Sequence, residues 1–128
     1  MGPVQDSAFA VLEQAMRFRA ARGAVLAGNV ANADTPGYRR GELHFDQTLD
    51  KAVRVLRTDP RHLPSERAGG GAYRYERGER GTRPDANGVN LDREIVEVHR
   101  NAGAFQDQAE MYARLAALRR LVLESTGS

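Results

Sequence analysis

The sequence predicts a mainly α protein: an elongated, coiled-coil-like pair of long N- and C-terminal helices, with a short helix and an irregular or weakly β, glycine-rich middle. Three observations carry this. Apolar residues recur at helical spacing near both ends of the chain, Thr35-Pro36-Gly37 breaks the first of these patterns, and six of the thirteen glycines fall between Gly69 and Gly88. The chain therefore divides into residues 1–34, the N-terminal helix; 35–90, a turn, a short helix and a flexible middle; and 91–128, a C-terminal helix expected to pair with the first.

In the first helix Val4, Val11, Phe18 and Val25 stand seven apart, the repeat that keeps one seam facing a partner helix. Phe9, Met16 and Val30 extend the stripe to a second flank. About 29 residues of helix would be about 43 Å long. Arg17, Arg19 and Arg22, with Arg39 and Arg40 beyond the turn, have Glu13, Asp34 and Glu42 near them in sequence. That mixture describes a solvated or partner-facing flank whose stems cover apolar surface better than it describes a basic patch.

Pro36 fixes its own φ and pushes Thr35 out of the helical region, so the helix must end by about Ala33 or Asp34. Pro36-Gly37 supplies the two central residues of a type II turn, whose second position needs positive φ. Asn29 and Asn32 are polar residues in the last turn of an otherwise apolar helix, placed to hydrogen-bond the turn or a neighbouring chain. Tyr38 opens an extended stretch from which Leu43 and Phe45 can fold back.

A short helix is expected where Asp46 can cap Leu49, Ala52, Val53 and Leu56, with Asp59-Pro60 and Pro64 as stops. The run 68–72 is glycine-rich, and Tyr73-Arg74-Tyr75 alternates as a weak strand or hairpin would. The flanking glycines favour a mobile loop instead. The last helix is the strongest element: Leu91, Ile95, Val98, Ala102, Phe105, Ala109 and Tyr112 alternate in steps of four and three, Asn90 can cap it, and Asp92 and Glu94 lie in its first turn. From Met111 the better stripe is Met111, Leu115, Leu118 and Val122, an offset that marks a stutter or a change of neighbour.

Composition removes many functions. The chain of 128 residues is one compact domain at most, and with no cysteine it has no disulfide, thiolate metal site or cysteine nucleophile. The pI near 9.4 accompanies a net charge of only +2, because every basic residue but Lys51 is an arginine and little titrates between pH 7 and 10. It is poor evidence for nucleic-acid binding. The triple glycine at 69–71 has no Gly-Lys-Ser/Thr after it; His44, His62 and His99 lack ligand spacing; Ser7, Ser65, Ser125 and Ser128 have no nucleophile turn. No metal, cofactor or enzymatic site is expected. No stretch is long and apolar enough for a transmembrane helix, and the N-terminus lacks a cleavable signal pattern.

The run Asn29-Val30-Ala31-Asn32-Ala33-Asp34-Thr35-Pro36-Gly37-Tyr38 resembles the N-terminal signature of the flagellar basal-body rod and hook family, in which a long helix ends in Asn-x-Ala-Asn-x-x-Thr-Pro-Gly-Tyr. Asn29, Ala31, Asn32, Thr35, Pro36, Gly37 and Tyr38 carry the match. The short length, Arg57-Thr58-Asp59-Pro60-Arg61-His62-Leu63 and Asn87-Gly88-Val89-Asn90-Leu91-Asp92-Arg93-Glu94 agree with the proximal-rod branch. The resemblance implies a structural subunit of the rod that crosses the periplasm. It further implies export without a cleaved signal by the flagellar type III apparatus. Implied partners are other rod subunits, a FliE-like adaptor and the MS-ring, with no nucleic acid. Another proximal rod protein, a helical adaptor and an export chaperone are the alternatives. Val11, Phe18, Val25, Leu91, Ile95, Val98, Phe105, Tyr112, Leu115 and Leu118 are the expected helix-packing and assembly residues. Stripes wider than one pair of helices can consume should seek other chains, leaving the isolated monomer partly folded.

Overall fold

A computed structural model describes residues 3–45, 47–58 and 73–127. The expected Asp46 cap, the stops at Pro60 and Pro64, the segment 59–72 with its glycine run, His62, Ser65 and Ser128 lie outside them. The elements in order are α1 (Pro3–Ala31), β1 (Gly41–Phe45), α2 (Gln47–Thr58), β2 (Tyr73–Arg77) and α3 (Leu91–Thr126). The two long helices run antiparallel: Phe9 meets Tyr112, Arg19 meets Asn101 and Asn29 meets Glu94. At 1.5 Å per residue α1 is about 43 Å long and α3 about 54 Å.

α1 is the hub. Ala8, Val11, Leu12 and Ala15 pack with Ala52, Val53 and Leu56 of α2, and Phe45, Met111, Tyr112 and Leu115 close over this core. Further along, Phe18 stacks on Phe45 with ring centroids 4.4 Å apart. Burying a side chain such as Leu12 contributes roughly 1.5–3 kcal/mol. Most of the α1 stripe is therefore covered within the chain by α2, β1 and α3, while Phe9, Met16 and Val30 on its second flank are half-buried. On that second flank Phe9 already meets Tyr112 within the chain.

Residues 73–77 form a strand and not a mobile loop. Tyr73–Arg77 pairs antiparallel with Gly41–Phe45, from Gly41 opposite Arg77 to Phe45 opposite Tyr73. Every residue of β2 is exposed, so no burial pattern marks it in the sequence; its tyrosines and arginines contribute through cross-strand pairing. Residues 78–90 then wrap the end of α1. Gly81 is needed there because a Cβ would lie 1.9 Å from the Asn87 carbonyl oxygen.

α3 begins as expected. Asn90 is extended, and its side-chain oxygen accepts the Arg93 N–H at 3.2 Å. Its inner face changes character along its length. Glu94, Asn101 and Gln108, seven residues apart, are the buried ones, whereas from Met111 the helix turns apolar residues onto the α1–α2 core. The offset after Tyr112 is thus a change of neighbour.

Candidate assembly interface

Two surfaces stand out, one polar and closed, the other apolar and open. The closed one is the junction at the end of α1. Thr35-Pro36-Gly37-Tyr38 makes its turn with the Tyr38 N–H donating to the Thr35 carbonyl at 3.3 Å and Gly37 at φ +72°, the geometry of a type II turn. The Gly37 N–H donates to the Asp85 carbonyl at 2.7 Å, tying the turn to the wrapping loop. Asn32 serves the turn itself: its Nδ2 donates to the Gly28 carbonyl and its Oδ1 accepts the Thr35 hydroxyl. Asn87 donates to the carbonyls of Asn32 and Thr35 at 2.9 and 2.7 Å and accepts the Val89 N–H. Pro36 and Ala31 are exposed.

Asn29 reaches the other way. Its Oδ1 accepts the Gly41 N–H and its Nδ2 donates to the Gly41 carbonyl, both at 2.8 Å, so one amide satisfies both backbone groups of the first β1 residue. The same Nδ2 donates to Glu94 Oε2 at 3.2 Å, and the Tyr38 hydroxyl donates to Asn29 Oδ1 at 3.4 Å. The Glu94 carboxylate, 1% exposed, is held by Arg40, whose Nε lies 2.5 Å from Oε1. Arg40 also bonds Glu42 at 3.1 Å. Arg22 grips Glu42 with two nitrogens, at 2.8 and 3.2 Å, and reaches Glu97 at 3.0 Å. Such a network is stable only when its members are satisfied, since an unpaired buried charge costs several kcal/mol.

The electrostatics follow. Burial acts to raise the Glu42 pKa, but the Arg22 hydrogen bonds and charge, then Arg40 and the Leu43 N–H, outweigh it and hold the carboxyl below its ordinary value. The Glu94 hydrogen bond is the main cause raising Arg40. Arg22 is raised too, because its bonds to Glu42 and Glu97 exceed the opposing effect of burial. Of the arginines first read as a flank, Arg22 and Arg40 are therefore structural clamps. The network was invisible in sequence as a unit. Its traces were Asn29 within an apolar stripe and the seven-residue spacing of Glu94, Asn101 and Gln108.

The open surface lies on α3. Val11 and Phe18 are buried in the chain's own core, Val25 is half-buried beside Gly41, and Tyr112 and Leu115 close over the core. Leu91, Ile95, Val98 and Phe105 are 44, 43, 36 and 39% exposed, and Leu118 is exposed as well. The stripe that marks α3 in the sequence thus lies beside the contact with α1 and meets it at Tyr112, because its polar neighbours at 94, 101 and 108 take the inner positions. Asn101 explains how they can: its Nδ2 donates to the Arg19 carbonyl at 2.8 Å. Among the described residues no cluster of acids and histidines could hold a metal, and no helix is long and apolar enough to cross a membrane.

Comparison with known proteins bears on both surfaces. A family profile described as "Flagella basal body rod protein" matches residues 9–39, most of α1 and the whole signature turn. The flagellar basal body rod protein FlgB of Salmonella typhimurium is 31% identical over 117 residues, covering 79% of this chain and 81% of that protein. The chain belongs to the flagellar basal body rod protein FlgB family. FlgB of Aeromonas hydrophila is 29% identical over 119 residues, 88% of this chain and 90% of its own, and FlgB of Bacillus subtilis is 26% identical over 102 residues, 77 and 79%. Across these FlgB relatives the match extends well beyond the signature into the regions that build the sheet and α3.

Proposed function

We propose that this chain is a structural subunit of the bacterial flagellar basal body rod and that it joins the rod through the exposed apolar stripe of α3. Membership of the FlgB family supports the first part. The observation that carries the second is that Leu91, Ile95, Val98 and Phe105 lie in one exposed row on α3, beside the line of Glu94, Asn101 and Gln108 that already meets α1. A monomer that leaves such a row in water lowers its free energy by about 25 cal/mol for each Å² of apolar surface it covers on assembly. In this reading the junction of Asn29, Arg40 and Glu94 fixes how the helix ends meet, so that α3 presents its stripe at a constant angle to neighbours. The finer assignments go with it: a place at the proximal end of the rod, in the periplasm, contacts with a FliE-like adaptor, the MS-ring and other rod subunits, and export through the flagellar type III apparatus without signal cleavage.

Phe105→Asp tests this. The purified variant should be as helical as the parent by circular dichroism, because residue 105 is not part of the monomer's core. Cells carrying it as their sole copy should not swim, and their isolated basal bodies should lack an assembled rod. Normal swimming would remove the stripe from the assembly interface.

A further inference from the structure

The last turns of α3 hold a second apolar feature, separate from the stripe. Between α2 and α3 lies a groove of about 460 Å³ whose floor is Leu56, Met111, Leu115 and Leu118. Asp107 and Glu110 stand on its rim, accompanied by Arg114. Just beyond it α3 outruns α1. Arg119 lies over the Phe9 ring at 5.5 Å, near the start of α1, and Leu121, Val122 and Leu123 past that point are exposed, Leu121 by 62%. Residues 119–123 thus form an apolar turn carrying two arginines, Arg119 and Arg120.

The groove and this turn are matched in chemistry: an apolar floor with two acids on its rim, and an apolar knob with two bases. They cannot meet within one chain. Both lie on the single continuous helix Leu91–Thr126, which cannot fold back on itself over so short a span. We infer that the groove receives residues 119–123 of a second copy of this chain, with Arg120 of the knob set against Glu110 of the rim. The contact rests on the reading of the chain as an assembling rod subunit and names its immediate neighbour. It is one polar rim around a small apolar centre, the anatomy of a specific interface in miniature. Its salt dependence should be that of partly exposed charges.

The absence of cysteine from the native chain makes the test clean. Arg114→Cys and Leu121→Cys, both at exposed positions, are made in separate full-length proteins, mixed and treated with a short thiol cross-linker. A covalent pair should form from the mixture above the level either variant gives alone. Adding Glu110→Arg to the Arg114→Cys protein should abolish it while circular dichroism stays unchanged. No cross-link above the single-variant level would overturn the inference. So would a cross-link in cells that joins the Leu121→Cys variant only to a different protein. Basal bodies isolated from cells expressing both variants separate the two levels of argument. Finding the chain there without a covalent link between position 114 of one copy and position 121 of another sinks this contact and leaves the rod assignment standing, whereas finding no chain there sinks the rod assignment itself.

Discussion

α1 and α3 carry apolar stripes of similar strength in the sequence, yet they put them to opposite use. α1 is covered on its apolar side within the chain, by α2 on one flank, β1 on another and α3 along its length, while Ala10, Glu13, Arg17, Ala24 and Ala27 stay exposed. α3 turns Glu94, Asn101 and Gln108 inward and leaves Leu91, Ile95, Val98 and Phe105 in water. Periodicity states that a stripe must be covered; it does not state by whom. Here Glu94 and Asn101 meet α1 through hydrogen bonds of fixed geometry, which favour one register, and Met111, Tyr112 and Leu115 add apolar contacts further along.

Substitutions can break this contrast in graded steps. The largest effect should come from Leu12→Ala in the closed core, which removes a fully buried side chain and should cost about 2–5 kcal/mol in urea denaturation. Next is Asn29→Ala. It strands the Gly41 N–H and carbonyl and leaves Glu94 Oε2 to Arg40 alone, at about 1–3 kcal/mol for each group left buried and unpaired, less whatever water recovers. The same measurement should show a loss of stability comparable to the core variant if the junction is as closed as its geometry indicates.

A smaller, pH-dependent effect sharpens the electrostatic side. The Glu42 carboxyl has a lower pKa folded than its ordinary 4.5, so the stability it contributes is complete above about 4.5 and is lost as pH falls through the folded value. Unfolding followed from pH 7 to pH 3 should therefore steepen below about 4.5, and Glu42→Gln should make that fall shallower. Smallest of all, Phe105→Asp should shift monomer stability by no more than about 0.5 kcal/mol, as surface changes do. A large loss there would mean that the stripe is part of the monomer's core and would erase the contrast between the helices.

Much of the frame was legible in the residues. Proline chemistry located the end of α1, the Pro36-Gly37 pair required the positive φ found at Gly37, and Asn90 announced the start of α3. Local chemistry writes these directly into neighbouring residues. The sheet was harder, because Tyr73–Arg77 is exposed on every residue and finds its partner more than twenty-five positions upstream. Which stripe would be covered was harder still. Glu94 and Asn101 look like part of a solvated flank until Arg40, Asn29 and the Arg19 carbonyl are brought against them, and only tertiary structure supplies those partners. The role of Asn29 was posed by the sequence and answered by Gly41.

That pairing of Asn29 with Gly41 reaches beyond the fold of one molecule. A two-stranded sheet presents two rows of unpaired backbone groups, each a template on which a foreign strand can add. On the β1 side the Gly41 N–H and carbonyl are taken by Asn29, and the Leu43 N–H is taken by Glu42 at 3.0 Å. Side chains there imitate the missing third strand. That edge of the sheet is thereby a poor template for edge-to-edge β association at Gly41 and Leu43.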